Sequence, residues 1–191
     1  VEKPLNFTYE QLKQMPMIER YVTIECSGNK RALLTSPTPG EQWQTGAVGN
    51  AKWTGVPLAY LLDQVKVKAS AVELVFTGFD SGLRPDMDRP VNFERSLPMD
   101  KALLNECILA LKMNDEPIPH KHGFPLRLIV PGWYGMAHVK WVSQITATSL
   151  PFKGPFQAID YVYLTNEGDY SNAGVSGQFH GTWRLYLAGP R

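Results

Sequence analysis

The chain has 191 residues, with 19 Lys+Arg against 18 Asp+Glu, a formal net charge of +1 and a sequence pI near 7.9. At 43% hydrophobic and 19% charged it suits one globular domain, or one domain plus a short appendage, and is not a disordered chain. Charge this balanced argues against a nucleic-acid-binding protein, and no run approaches the ~20 apolar residues of a membrane span.

Glycine and proline make up about 16% of the chain against a usual ~12%, which predicts a loop-rich fold with many turns. Thr8 with Gln11 resembles a capping box, so a short helix is expected over 8–15. The aromatic and β-branched run 21–24 reads as a strand leading into Cys26, and Ser27–Gly28–Asn29 is turn chemistry. Residues 36–50 show no clear period; 56–62 begins a helix with Pro57 in its first turn. A second strand is expected over 71–76 and an exposed loop over 81–96, which carries Arg84, Asp86, Asp88, Arg89, Glu94 and Arg95. Apolar residues at Leu103, Leu104, Cys107, Ile108 and Leu111 predict a helix over 99–113. A connector follows over 114–123, then strands at 126–130, 139–148, 161–164 and 183–187. Short strands outnumber helices, so the fold class is α+β with mixed β-sheets and a few short helices.

Two cysteines exclude a disulfide scaffold or a four-thiolate zinc site. Cys107 lies on the apolar stripe and reads as core. Cys26 sits at a strand end beside Gly28, Lys30 and Arg31. It is either a buried strand-end residue or a thiolate favoured by nearby cations and turn amides. His120 and His122 are two apart, but no Glu-bearing helix accompanies them to complete a zinc site. The stretch 123–141 alternates rigid turns with Arg127, Trp133, Tyr134, Lys140 and Trp141. It is either a sheet corner with solvated cations, or a place where cations hold a phosphate while glycine amides approach a flat ring system.

Taken together, these motifs resemble the molybdopterin-binding domain of the sulfite oxidase family. Glu25–Cys26–Ser27–Gly28–Asn29–Lys30–Arg31 is similar to that family's Cys-x-Gly-Asn-x-Arg turn. The segment 46–58, Gly78–Phe79–Asp80, 122–127 and 131–141 follow in the family's order. The resemblance implies a molybdenum cofactor with molybdopterin, held by Cys26 as the metal ligand. It implies cofactor contacts at Asp80, His122, Arg127, His138 and Lys140, with Arg127 and Lys140 near the phosphate. Arg31 and Tyr161 would be catalytic, and Trp43 would line the same pocket. The implied reaction is oxygen-atom transfer, oxidising sulfite to sulfate, with electrons passing to a separate acceptor such as a cytochrome.

The same resemblance places a cofactor domain at 1–165 and leaves 166–191 as a tail of unassigned role. Relatives carry an Arg-Asn-His-type loop ahead of the position matching Val1, so the chain is either a fragment or completes its pocket differently; it is read as a fragment, because Val1 starts abruptly just before a helix. The Trp133–Tyr134–Gly135–Met136 version of the Pro-Gly loop points to a bacterial branch, with a periplasmic or other extracytoplasmic location. The alternatives are reduction of nitrate or another small oxyanion by the same cofactor, a non-catalytic domain that kept the fold, and a zinc hydrolase built on Cys26 and the histidines.

Overall fold

The computed structural model describes residues 1–36 and 38–161. The expected strand at 161–164, Tyr161 apart, the strand at 183–187 and the tail 166–191 lie outside them. A short helix, α1 (Tyr9–Lys13), opens the fold behind Thr8, whose hydroxyl caps the Gln11 N–H while the Gln11 side chain caps Thr8 in return. β1 (Ile18–Glu25) pairs antiparallel with β2 (Val48–Pro57), so Glu25 lies opposite Val48 and the loop between them starts at Cys26. α2 (Leu58–Val65) follows with Pro57 as its N-cap. Next come β3 (Glu73–Gly82), β4 (Val91–Pro98), α3 (Lys101–Glu106), β5 (Ile108–Met113), β6 (Glu116–Pro117), β7 (Arg127–Ile129), β8 (Val142–Thr148) and α4 (Pro155–Ala158).

The strands form two sheets. One runs β1-β2-β5-β6 with β7 also pairing β5; the other runs β4-β3-β8. The main core, with Val56, Phe76, Leu97, Leu109, Leu128 and Val139 all at most 2% exposed, joins both sheets and α2. A second cluster of Val22, Trp53, Ile108, Ala110 and Ile129 packs together. Successive β5 residues therefore alternate between the two clusters and are buried on both sides. Gly55 is required where β2 meets β5, since a Cβ there would stand 2.1 Å from the Leu109 carbonyl oxygen. The Asn114–Asp115 turn joins β5 to β6 with both residues left-handed, φ 51° and 70°, as a two-residue hairpin requires.

Three expectations change. The helix over 99–113 is instead a helix at Lys101–Glu106 followed by strand Ile108–Met113. A strand buried on both faces is a continuous apolar run, so Ile108 and Leu111 of β5 extend the helical stripe begun by Leu103 and Leu104 of α3. The expected loop over 81–96 holds the start of β4, in which Arg95 is only 1% exposed. The unassigned stretch before Asn50 contains the start of β2. Cys107 is fully buried as core, its S–H donating to the Leu103 carbonyl at 3.3 Å, and burial pushes the thiol up to about 12. No described helix is long and apolar enough to cross a membrane.

Candidate active site

The loop after β1 is tied by its own polar groups. The Cys26 N–H donates to the Ala47 carbonyl at 2.9 Å, and the Asn29 N–H to the Cys26 carbonyl at 2.9 Å. The Asn29 amide then joins the two sides of the loop, donating to Glu25 Oε1 at 2.7 Å and accepting from the Ala47 N–H at 3.1 Å. Lys30 completes the reversal at φ 69°. The outcome is an exposed Cys26 whose sulfur accepts the Gly28 N–H at 3.4 Å. A backbone amide is thus aimed at the sulfur that faces the cavity.

Arg31 belongs to this scaffold. Its guanidinium donates to the Glu41 carbonyl at 3.0 Å and lies against Gly28 and Gly40, where an added Cβ would come within 2.8 and 2.2 Å of it. Arg31 thus stands behind the Cys26 turn, although its positive charge still acts on Tyr161. Trp43 is exposed on the same loop and its N–H bonds the Glu41 carbonyl.

Cys26 opens onto a cavity of about 440 Å³, within the usual range for small-molecule sites. Its walls include Ile24, Trp53, Phe93, Met113, Met136 and Tyr161, together with His122 and Arg127. Both sheets contribute, since Trp53 lies on β2, Arg127 on β7 and Phe93 on β4. Of the nine expected site residues, four line this cavity, Cys26, His122, Arg127 and Tyr161, and Trp43 does not.

Arg127 is 9% exposed. Its guanidinium lies over the Trp53 ring at 5.1 Å and donates to the His122 carbonyl at 3.0 Å, leaving a buried Nε without a partner. Burial lowers its pKa to about 10, so it remains charged at neutral pH. Lys140 is close enough for Arg127 to depress it further, after burial, while Asp80 opposes that effect. Two cations whose charges act on each other, one with a buried donor that has no partner, suit an anion. Gly123 allows the approach: at φ 110° it sits where a Cβ would meet Lys140 at 3.0 Å. The Lys140 ammonium donates to the Lys121 carbonyl at 3.1 Å and lies 4.1 Å from the centroid of the Trp141 ring. Asp80 is exposed at the end of β3, beside Phe79, whose N–H reaches the Trp141 carbonyl at 2.8 Å.

His138 is 2% exposed and sits behind the site. Its Nδ1 accepts the Val130 N–H at 3.2 Å and its Nε2 meets the Trp133 carbonyl at 3.1 Å, which fixes one neutral tautomer. Burial pushes it down to about 3 from an ordinary 6.5. Between those values the unfolded chain binds a proton that the folded one refuses. Its contribution is therefore intact above pH 6.5 and is lost as pH falls towards 3, by at most about 1.4 kcal/mol per pH unit. Urea midpoints at pH 7 and pH 4 should fall further for the wild type than for His138→Phe; equal falls would contradict this role.

Tyr161 faces Cys26 from the other side. Burial, and then the Cys26 sulfur, push its phenol up, while Arg95 and Arg31 pull the other way. The phenol keeps its proton at neutral pH and can donate it in a hydrogen bond. Sequence reasoning missed Phe93, Met113 and the buried Arg95. Trp53, inside the segment 46–58, and Met136, inside the Pro-Gly loop, had a visible signal. Among the described residues no three His, Cys, Asp or Glu side chains are grouped to hold a metal. A metal here would need most of its donors from a cofactor, with Cys26 adding one thiolate.

Residues 1–156 match the family model described as oxidoreductase molybdopterin binding domain. Mitochondrial sulfite oxidase of Drosophila melanogaster is 35% identical over 179 residues, covering 91% of this chain and 30% of that protein. Nitrate reductase [NADH] 1 of Nicotiana tabacum is 34% identical, covering 78% of this chain and 17% of that protein. The crystal structure of the sulfane dehydrogenase SoxCD from Paracoccus pantotrophus superposes with a TM-score of 0.74 at 31% identity, covering 88% of this chain and 41% of that one. The chain thus spans less than a third of the length of the sulfite oxidase it matches. It belongs to the sulfite oxidase family of oxidoreductase molybdopterin-binding domains.

Proposed function

We propose that this chain is the cofactor-binding part of an oxidoreductase that oxidises sulfite to sulfate. The observation that carries the reading is the exposed Cys26 sulfur on a cavity whose other walls hold Arg127, His122 and Tyr161. The unpartnered Arg127 Nε beside Lys140 fits a phosphate-bearing cofactor. When bound, molybdenum with molybdopterin supplies the two-electron redox centre and the transferable oxygen.

The chain's own residues hold, orient and attract. Cys26 is the soft donor that would grip the metal. Arg127 and Lys140 would hold the phosphate, with His122 and Asp80 at the pterin edge. Arg95 and Arg31 place positive charge around Tyr161, which draws in a small oxyanion. The Tyr161 phenol donates a hydrogen bond to that anion and orients it beside Cys26. Hydrophobic walls at Trp53, Phe93 and Met113 limit water around it. The two electrons taken from sulfite would pass to a separate acceptor, which we assign as a cytochrome.

Sulfite-dependent reduction of cytochrome c by the intact, cofactor-loaded protein tests this. Tyr161→Phe should lower kcat/KM by about 100-fold, as the loss of one aimed donor does elsewhere. Turnover of nitrate in place of sulfite would replace the substrate assignment. Loaded protein that turns over neither would overturn the proposal.

A further inference from the structure

Tyr161 follows the four-residue α4 and reaches the cavity through side-chain contacts with β4 and the β3–β4 loop. Arg84 organises them. Its Nε and Nη2 donate to Asp86 at 3.0 and 2.9 Å, and its Nη1 and Nη2 donate to Asp160 at 2.6 and 3.1 Å. The same guanidinium lies 5.1 Å from the Phe156 ring, and Phe156 packs on the cavity-lining Phe93 at 4.8 Å. From beneath, Arg95 donates to the Phe156 carbonyl and stands 5.6 Å from the Tyr161 ring. Gln157, 3% exposed, pairs with Ser96 of β4.

An ordinary surface ion pair does little for a fold. This one is bidentate on both carboxylates and stacked on a ring, and the Arg84 side chain is only 16% exposed. Fork-to-fork pairing adds direction to attraction. Asp86 sets the plane of the guanidinium, Asp160 docks on its free edge, and the next residue is Tyr161. We propose that Arg84 is a positioning residue for Tyr161, the Asp86–Arg84–Asp160 clamp setting where the phenol stands relative to Cys26. The inference deepens the proposed function and rests on its reading of Tyr161 as the phenol that meets substrate.

The test uses the intact, cofactor-loaded protein with 3-fluorotyrosine at position 161, read by fluorine NMR and by steady-state kinetics. Arg84→Gln should shift or broaden the resonance and lower kcat about tenfold with a smaller change in KM, because misplacement by ~1 Å can cost 100-fold. Asp160→Asn should do the same, and the double variant should lose no more than either single one. Arg84→Lys keeps the charge without the fork and should recover only part. Arg89→Gln, on the same loop, should leave the resonance and the rate unchanged. An unmoved resonance in Arg84→Gln, or additive losses in the double variant, overturns the clamp. A moved resonance with full turnover in Tyr161→Phe would instead overturn the role given to Tyr161 and keep the clamp.

Discussion

Cys26→Ser is expected to yield a folded protein that loses at least about 100-fold in metal retention and turnover. Even partners that merely orient a metal ligand cost 10–100-fold when removed, and Cys26 is the one thiol on the cavity wall. Serine's hydroxyl is a harder donor and stays protonated near neutral pH, so it cannot replace a soft thiolate. Folding should survive because the loop is held by the backbone bonds of residue 26 and by the Asn29 amide, not by the sulfur. Metal analysis and a thermal melt on one preparation check both halves. Full metal content in the variant would contradict the assignment, and loss of fold would show that the loop depends on the sulfur after all.

Arg127→Leu should cost about 10- to 100-fold in cofactor retention, the worth of one or two charge-assisted bonds to a phosphate. The cofactor-free protein should be no less stable than the wild type. Arg127 buries a charge whose guanidinium donates to the His122 carbonyl while its Nε has no partner, and replacing a poorly compensated buried charge with an apolar group is often neutral or stabilising. The two effects should therefore separate: weaker retention, measured as pterin fluorescence after oxidation, with an unchanged or higher Tm. A fall in both would make Arg127 a structural residue.

Much of the fold was readable where one physical signal dominates. The capping pair Thr8–Gln11, the strand before Cys26 and the run through Arg127–Ile129 all rest on local chemistry. The stretch over 99–113 was not readable, because burial of β5 on both faces erases the alternation that marks a strand. β2 was hidden by its polar, glycine-bearing start and by the shift in register at Thr54/Gly55. β4 was hidden by its charges. A run containing Glu94 and Arg95 looks solvated until the fold shows Arg95 beneath Tyr161 and Glu94 accepting the Thr77 hydroxyl at 2.7 Å.

The site divides in the same way. Cys26, His122 and Arg127 were named from ordered motifs and Tyr161 from the family resemblance alone, and the fold brings these four to one cavity. Arg31 was expected to line it, yet it reaches there only as a charge, since its guanidinium is occupied in holding the Cys26 loop. Motif matching marks a residue's chemistry but not which side of a turn its side chain takes. Arg84 and Asp160 are 76 positions apart, and a pairing at that separation leaves no local trace.

The most direct test is X-ray absorption at the molybdenum edge on purified protein, comparing wild type with Cys26→Ser under metal-replete expression. The account predicts stoichiometric molybdenum in the wild type, with one more sulfur neighbour than any metal left in the variant. Identical sulfur counts, or wild-type protein that takes up no molybdenum, would contradict it.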